Sequence, residues 1–451
     1  MGISTKPPSG MRDFLPAELA KRRYVIDVIQ NVYEKYGFLP LETPCVENLT
    51  TLLGKYGDEG DQLIFRLLHR RDKLSRALEM PEVSEKDLAD LGLRYDLTVP
   101  LARVIANSPE LPKFFKRYQI QPVWRADRPG KGRFREFLQC DVDITGTESL
   151  LAEADVCSAV AEVLTKLGFH NFKIHINHRQ LLKELIKTAD IDAEKEAEAL
   201  VAVDKIDKIG FEGVEKELEQ RNFLQEQAKK LLSLIKRPEN FSENQEISRL
   251  KAELKDNAGA LKAIEEIEEL CRLLNFGCAQ NKIEIDPSLA RGLGYYTGCI
   301  FEIRSSDFGG SLGGGGRYDG LIGMFKGTKI PAVGFSIGFE RLMIVLEEKG
   351  LFDNLEAGPD ILICSFADTD CADVVSAAKI IREAGVKTEV YPETPKLGKQ
   401  IAYAESIKAK YVGILGATEA QNKTIALKNL SSGEQVVLPY EQAAQKILSE
   451  K

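Results

Sequence analysis

The spacing of apolar and polar residues gives the first part of the chain a mixed helix and strand pattern, which continues to about His175. Apolar residues at helical spacing predict helices over residues 16–36 and 149–167, and Gly168 is a stop signal for the second. Residues 38–44 have the composition of a strand that enters a turn. This part is therefore predicted to combine a sheet with helices.

The pattern changes between about Gln180 and Gln280, where the chain is rich in Glu, Lys, Leu and Ala and has few glycines. Its clearest element is residues 246–274, in which apolar residues mark one helical face. Strand patterns return at residues 282–303 and 330–338. The middle region is therefore predicted to be a helical insertion between two halves of a larger sheet domain. A plain helical spacer is as good an interpretation of it as any specific role.

The last part of the chain alternates strands and helices in a short, regular order. A helical pattern covers residues 339–348, and residues 351–358 are the predicted linker. Beyond the linker, the predicted elements are strands at 360–366, 386–391 and 411–415, a strand pair near 424–438, and helices at 371–384, 396–407 and 440–449. This order predicts a compact α/β domain with a mixed sheet and helices on its faces.

Composition narrows the class of protein. The chain has 451 residues, 43% of them hydrophobic and 29% charged, which suits a globular protein of two or three domains. No apolar run approaches the length of a membrane span, and residues 1–12 lack the core of a signal peptide, so a cytoplasmic protein without a membrane partner is expected. Eight scattered Cys without a CxxC pair, and only four His, make a zinc site an unlikely expectation, and no metal site is predicted.

A basic segment stands out because the chain has a net charge of −8. From Lys113 to Arg135 there are eight basic residues and one acidic residue, Asp127. An apolar run at 118–124, a turn at 128–132 and renewed alternation predict a long β-hairpin with cations on its face and loop. An arginine guanidinium matches phosphate oxygens as a rigid fork of donors. Since acidic partners nearby are few, the pattern favours a polyanionic partner over a solvated, ion-paired face.

Acidic residues in two segments predict a polar pocket, and a glycine cluster predicts a hairpin. The chain has no GxxxxGK[ST] loop, and the glycines at 309–316 lack a following helix, so close backbone approach in a hairpin is favoured over a phosphate cradle. Gln139, Asp141 and Asp143 alternate, which places them on one face of a strand as a polar floor. Asp96 and Thr98 are spaced for one side of an extended segment, although Asp96 would equally suit a helix cap.

Two further segments carry candidate arginines. Arg291 precedes the adjacent Tyr295 and Tyr296 in a glycine-rich loop. Residues 331–341 run from a predicted strand into a helix and place Arg341 in the first helical turn.

Together these segments resemble class II aminoacyl-tRNA synthetases, and most closely the histidyl-tRNA synthetase family. WRAD at 124–127 resembles motif 2, and GFSIGFERL at 334–342 resembles motif 3. The narrower resemblance rests on GMRDFLP (10–16), LRYDLTVP (93–100), RGLGYY (291–296) and GGGRYDG (314–320). Residues 43–46 are taken as motif 1 from their position. The resemblance covers essentially the whole chain, and the combination with RGLGYY is specific.

The resemblance implies a fold and a division into domains. The expected fold is an α+β catalytic domain with an antiparallel sheet flanked by helices, a helical insertion, and a C-terminal α/β domain. The boundaries are then catalytic residues 1–178 and 279–350, the insertion at 179–278, a linker at 351–358, and an anticodon-binding domain at 359–451. A homodimer through the motif 1 region is also implied.

The resemblance implies a histidine–tRNA ligase, which uses ATP with Mg²⁺ to form histidyl-adenylate and then charges tRNA(His). Arg125 matches the motif 2 arginine on the α-phosphate, Arg291 matches the arginine on its other side, and Arg341 matches the motif 3 arginine on the γ-phosphate. Arg128 matches the residue that meets the acceptor end of tRNA, and Arg133 and Arg135 would serve ATP or the acceptor stem.

The resemblance also implies a histidine site. The substrate ammonium group is assigned to Asp96, Thr98 and Gln139, and the imidazole to Asp143 and Tyr296. Tyr295 and Tyr318 are assigned to the pocket walls, and packing alone would explain either about as well.

One position departs from the family, which more often has an acidic residue at Gly294. Asp96 and Asp143 stand where many bacterial relatives have glutamate. The alternatives are a non-catalytic synthetase-like regulatory subunit and a class II synthetase for another amino acid. Residues 359–451 and the three arginines speak against the first, and Asp143, Arg291 and the tyrosine pair speak against the second.

Overall fold

The computed structural model describes residues 3–290, 294–353, 355 and 358–450. Among these, residues up to 13 and residues 22–351 form one compact unit, and residues 14–21 with those from 352 onward form a second. The domain boundaries given above stay predictions.

Three of the described strands in the first unit are ten residues long, and the others have two to seven residues. The strands are β1 (Leu39–Pro40), β2 (Val46–Asn48), β3 (Arg66–Leu68), β4 (Ala89–Leu93), β5 (Phe115–Trp124), β6 (Glu136–Thr145), β7 (Phe172–His178), β8 (Ile283–Ile285), β9 (Cys299–Ser305), β10 (Phe308–Arg317) and β11 (Ala332–Gly338).

The helices of the first unit are α1 (Pro16–Lys35), α2 (Leu49–Leu52), α3 (Gly57–Gln62), α4 (Asp72–Leu78), α5 (Glu85–Leu88), α6 (Thr98–Asn107), α7 (Leu151–Lys166), α8 (Arg179–Thr188), α9 (Glu196–Val203), α10 (Ile206–Gln220), α11 (Gln225–Ile235), α12 (Glu243–Glu253), α13 (Ala258–Leu274), α14 (Gly323–Lys326) and α15 (Phe339–Glu348). A short 3₁₀ turn, Ala193–Lys195, precedes α9.

Eight strands form the main sheet, in the order β1-β5-β6-β11-β10-β9-β7-β8. Neighbours from β5 to β7 are antiparallel, and only the edge pairs β1/β5 and β7/β8 are parallel. The predicted antiparallel sheet flanked by helices is therefore confirmed. A separate three-stranded sheet has the order β2-β4-β3.

The basic segment folds as the predicted hairpin. β5 and β6 pair in antiparallel register from Phe115↔Thr145 to Trp124↔Glu136. Along β6, Cys140, Val142 and Ile144 are buried on the face covered by α7. The intervening polar residues therefore lie on the opposite face, because successive side chains of a strand alternate between the two faces.

The middle region is helical from α8 to α13, as expected for an insertion between two halves of the sheet domain. The predicted single element at 246–274 is wrong in one respect, because α12 ends at Glu253 and α13 starts at Ala258. Asn257 caps α13 by accepting a hydrogen bond from the N–H of Ala260 at 3.0 Å. A side chain that caps a helix start competes with continuous helix, which explains the break.

The second unit contains β12 (Ile361–Ser365), β13 (Thr388–Val390), β14 (Tyr411–Leu415), β15 (Thr424–Asn429) and β16 (Gln435–Pro439), with α16 (Cys371–Glu383), α17 (Leu397–Ser406), α18 (Ala417–Asn422) and α19 (Tyr440–Ser449). Its sheet order is β13-β12-β14-β15-β16. The first three strands are parallel and the last three antiparallel, so the predicted mixed sheet is confirmed. Apolar clusters lie on both of its faces.

The glycine cluster at 309–316 lies in β10, where it allows close approach of the neighbouring backbones. A Cβ atom added at Gly315 would lie 2.1 Å from the carbonyl oxygen of Gly334, and one at Gly316 would lie 2.7 Å from that of Cys299. The preference for a hairpin over a phosphate cradle agrees with this placement, since β9 and β10 form an antiparallel hairpin.

Replacing Gly315 by alanine is expected to destabilise the protein by about 3 kcal/mol or more, because the methyl group would push β10 and β11 apart. Gly309→Ala in the same strand is the matched control, since a Cβ there meets no atom within 4 Å. Urea unfolding of both variants measures the difference. Equal stabilities would contradict the packing argument.

Candidate active site

The polar floor predicted on β6 exists, and β5 extends it. The antiparallel register places Asp143 opposite Arg117, Asp141 opposite Gln119, and Gln139 opposite Gln121. Directly opposed residues share a face of the sheet, so the hairpin has one continuous polar face. Its side chains are almost fully enclosed at the Arg117 and Asp143 end, where the exposed fractions are 0% and 2%.

A cavity of about 340 Å³ lies over this floor. Its walls come from β6, β9, β10 and β11, from the loop between β5 and β6, and from the start of α15. The predicted site residues in its lining are Asp96, Thr98, Arg125, Arg133, Gln139, Asp143, Tyr295, Tyr296 and Arg341. Residues from distant parts of the chain therefore meet at one cavity. Arg128 is exposed in the loop, and Arg291 lies outside the described residues.

Arg125 and Arg341 each donate a hydrogen bond to a backbone carbonyl oxygen. The Arg125 guanidinium lies 4.3 Å from the ring centroid of Tyr95 and 5.2 Å from that of Phe137, and its Nε donates to the carbonyl oxygen of Tyr95 at 3.1 Å. Arg341 donates from Nη1 to the carbonyl oxygen of Ser311 at 2.7 Å. These contacts restrain both side chains before any ligand binds, which reduces the entropy that binding must remove.

Asp96 both caps a helix and lines the cavity. Its Oδ1 accepts hydrogen bonds from the Tyr56 hydroxyl and the N–H of Val99, each at 3.0 Å. Its Oδ2 is buried without a hydrogen-bond partner in the described part of the chain. The extended segment expected here is wrong, because Thr98 is already the first residue of α6. Burial raises the pKa of Asp96, against the opposing effects of the Val99 N–H and Arg125.

Asp143 is held by two buried side chains. Arg117 Nη2 lies 2.7 Å from its Oδ2, and the Tyr318 hydroxyl donates to its Oδ1 at 2.5 Å. Burial raises the pKa of Asp143, and Arg117 opposes that shift. The phenol bonded to Asp143 is thus Tyr318, while Tyr296 stands beside Tyr295 with ring centroids 5.1 Å apart.

Three residues that support the site were not predicted from the sequence: Arg117, Tyr56 and Glu340. Glu340 lines the cavity next to Arg341, and both of its oxygens accept from Arg22 at 2.8 Å. Burial alone would raise the pKa of Glu340, but Arg22 and Arg12 lower it. Arg117 had a detectable signal, since Arg117, Gln119 and Gln121 alternate in the same way as the polar residues of β6.

The cavity is electrically polarised along β6. Gln139 pairs with Gly338, immediately before α15 and Arg341, whereas Asp143 pairs with Gly334. Four residues of strand separate these levels by about 13 Å. One end therefore offers the Arg341 guanidinium, which suits phosphate oxygens, and the other offers the buried carboxylate of Asp143, which suits a cationic or N–H-bearing group.

Comparisons with known proteins agree with this site. A family model described as histidyl-tRNA synthetase matches residues 10–342, and one described as an anticodon binding domain matches residues 361–450. A histidine–tRNA ligase from Cytophaga hutchinsonii is 40% identical over 98% of this chain and 99% of its own. One from Christiangramia forsetii is 41% identical over 97% and 98% of the two chains.

A solved structure gives the same result. The histidyl-tRNA synthetase from Nostoc sp. PCC 7120 matches with a TM-score of 0.83 and 32% identity, over 100% of both chains. The fold and site thus define a class II aminoacyl-tRNA synthetase architecture. The chain belongs to the histidyl-tRNA synthetase family, which confirms the family and the enzyme class, aminoacyl-tRNA ligase, predicted from the motifs. None of the described helices is both long and apolar enough to cross a membrane.

Proposed function

We propose that this chain activates histidine with ATP and transfers it to tRNA(His). The observation that carries the proposal is the polarised cavity, in which Arg125 and Arg341 share a space with the buried carboxylates of Asp96 and Asp143. Such a cavity is complementary to a nucleoside triphosphate and an amino acid held side by side.

In the first step, the carboxylate oxygen of histidine forms a bond to the α-phosphorus of ATP. The bond from that phosphorus to the bridging oxygen breaks, and pyrophosphate leaves with the electron pair. The attacking carboxylate is already ionised at neutral pH, so no side chain has to remove a proton from it. Catalysis then depends on alignment of the reactants and on cations that stabilise the developing charge.

The arginines supply those cations. Arg125 contacts the α-phosphate, and Arg341 contacts the γ-phosphate, where it helps pyrophosphate to leave. Arg291 takes the other side of the α-phosphate, by resemblance, and Arg133 contacts ATP or the acceptor stem. Mg²⁺ enters with ATP as the counter-ion of the triphosphate.

Histidine binds at the acidic end. Asp96, Thr98 and Gln139 hold its ammonium group, and Tyr295 closes the wall. Asp143 and Tyr296 recognise the imidazole, which offers one N–H donor and one acceptor when neutral. An amino acid that lacks these groups leaves buried polar atoms unpaired, which strongly disfavours its binding.

The tRNA contacts both units. Arg128, exposed in the loop between β5 and β6, meets the acceptor end, and the second unit binds the anticodon. The chain acts as a homodimer through residues 43–46 and their surroundings, in the cytoplasm and without a membrane partner.

Histidine-dependent exchange of pyrophosphate into ATP tests the proposal, because it needs adenylate formation and no tRNA. We expect exchange with histidine alone among the twenty amino acids. Exchange with a different amino acid would identify a class II synthetase of other specificity. Lack of exchange with histidine, in a protein that still binds it, would favour a regulatory subunit.

A further inference from the structure

Asp141 lies at the centre of the polar floor, between two residues already assigned to histidine. It lines the cavity, and only 2% of its surface is exposed. Neither the motifs nor the mechanism above gives it a role. Its neighbours on the strand, Cys140 and Val142, face the opposite, apolar side of the sheet.

The two aspartates on this strand differ in how they are held. Asp143 Oδ2 lies 2.7 Å from Arg117 Nη2 in an ion pair, although it accepts no hydrogen bond of normal geometry from the described residues, and Asp143 Oδ1 accepts one from the Tyr318 hydroxyl at 2.5 Å. For Asp141 the same Arg117 nitrogen is 3.9 Å away, beyond hydrogen-bond distance. Its Oδ1 is buried and accepts no hydrogen bond from the described residues. An acceptor of this kind costs folding free energy unless a ligand satisfies it.

Negative charge also exceeds positive charge around Asp141. Burial raises the pKa of Asp141 to about 7, and Asp143 and Asp96 add to that shift while Arg117 and the Ser336 hydroxyl oppose it. Three buried carboxyl groups thus face two guanidinium groups, that of Arg117 and, near Asp96, that of Arg125, with Tyr296 beside them. A ligand that brings an N–H donor, or a positive charge, would correct this imbalance.

We propose that Asp141 is a further specificity-determining residue, whose unpaired Oδ1 accepts an N–H of the substrate histidine. Asp143, which Arg117 and Tyr318 already hold, then supports the pocket as well as reading the imidazole. The inference rests on the proposed function, and it adds an acceptor that the known motifs do not include.

The decisive variant is Asp141→Asn, which keeps the shape of the side chain and removes its charge. We expect the KM for histidine in pyrophosphate exchange to rise about 10- to 100-fold, with the KM for ATP changed less than about twofold. Asp155→Asn is the matched control, since Asp155 is half-exposed on α7 and pairs with Lys116. It should leave both constants unchanged.

Stability separates a binding role from a structural one. A folded-state pKa raised from the usual 3.9 to about 7 means that Asp141 supports folding below pH 4 and loses that contribution as the pH rises to 7. Asp141→Asn should therefore melt at or above the wild-type temperature at pH 8. Asp143→Asn should melt lower, because it weakens the partner of the buried Arg117.

The number of protons released when histidine binds separates a binding role of Asp141 from a packing role, because altered packing alone would not change that number. Because burial raises the pKa of Asp141, its carboxyl group is protonated in part of the free enzyme near neutral pH, and histidine binding should release a fraction of a proton per site. Calorimetric titrations with histidine in phosphate and in Tris measure this number. It should be smaller in Asp141→Asn than in the wild type and unchanged in Asp155→Asn.

Competition with imidazole-propionate, which has no amino group, shows whether Asp141 accepts from the imidazole or from the ammonium group of histidine. If Asp141 accepts from the imidazole, Asp141→Asn weakens this inhibitor as much as it weakens histidine; if it accepts from the ammonium group, the inhibitor is unaffected. An unchanged KM for histidine and unchanged proton release in Asp141→Asn would overturn the inference. If wild-type protein shows no histidine-dependent exchange at all, the proposed function fails instead.

Discussion

Replacing Arg125 by alanine should lower histidine-dependent pyrophosphate exchange by about 30- to 1,000-fold. The loss corresponds to about 2 to 4 kcal/mol of transition-state stabilisation, the usual effect of removing one preorganised donor. The structure anchors this guanidinium through Nε and through the rings of Tyr95 and Phe137. Steady-state exchange measured at saturating histidine and ATP gives kcat directly. Arg341→Ala is expected to behave in the same direction, and so is Arg291→Ala.

Two further variants serve as comparisons for Arg125→Ala. Arg125→Lys keeps the charge but not the fork of donors, so it should recover only part of the activity. Arg23→Ala removes an exposed arginine of α1 and should leave exchange unchanged. Activity of Arg125→Ala within about twofold of the wild type, in a folded protein, would remove Arg125 from the phosphate site.

Replacing Asp143 by alanine should raise the KM for histidine about 10- to 150-fold and the KM for ATP far less. The variant removes a charged acceptor at the imidazole end of the cavity, about 13 Å along the strand from the level of Arg341. Initial-rate exchange with each substrate varied in turn gives both constants. Equal increases in the two constants would show that Asp143 does not read the imidazole.

This variant also has a structural cost that must be measured beside the kinetics. Asp143 is the ion-pair partner of Arg117, whose side chain is fully buried, and an uncompensated buried charge typically costs about 3 to 5 kcal/mol. Thermal melts of Asp143→Ala and of the surface control Asp155→Ala therefore accompany the exchange assay. Kinetic constants are compared only under conditions in which both variants are folded.

Local chemistry made much of the fold predictable. The β5/β6 hairpin followed from alternation on both sides of a proline and glycine turn, and the second unit followed from regular strand and helix patterns. Predictions failed where tertiary contacts define an element. Of residues 38–44, only Leu39 and Pro40 form the strand β1 beside β5, and the strand pattern at 282–303 divides into β8 and β9. Strand ends depend on which partner is present, and the chain alone does not state the partner.

The sequence by itself determined which residue types are available for chemistry, because motif spacing and strand alternation are local properties. It placed Gln139, Asp141 and Asp143 on one face and Arg341 in the first turn of a helix. Only the tertiary structure decided which of these groups are already paired. Arg117 reaches Asp143 because the strand register sets them opposite each other, and Tyr318 reaches it from a segment 175 residues away. Pairing of this kind depends on distances between remote parts of the chain, and it is what leaves Asp141 with an unsatisfied acceptor.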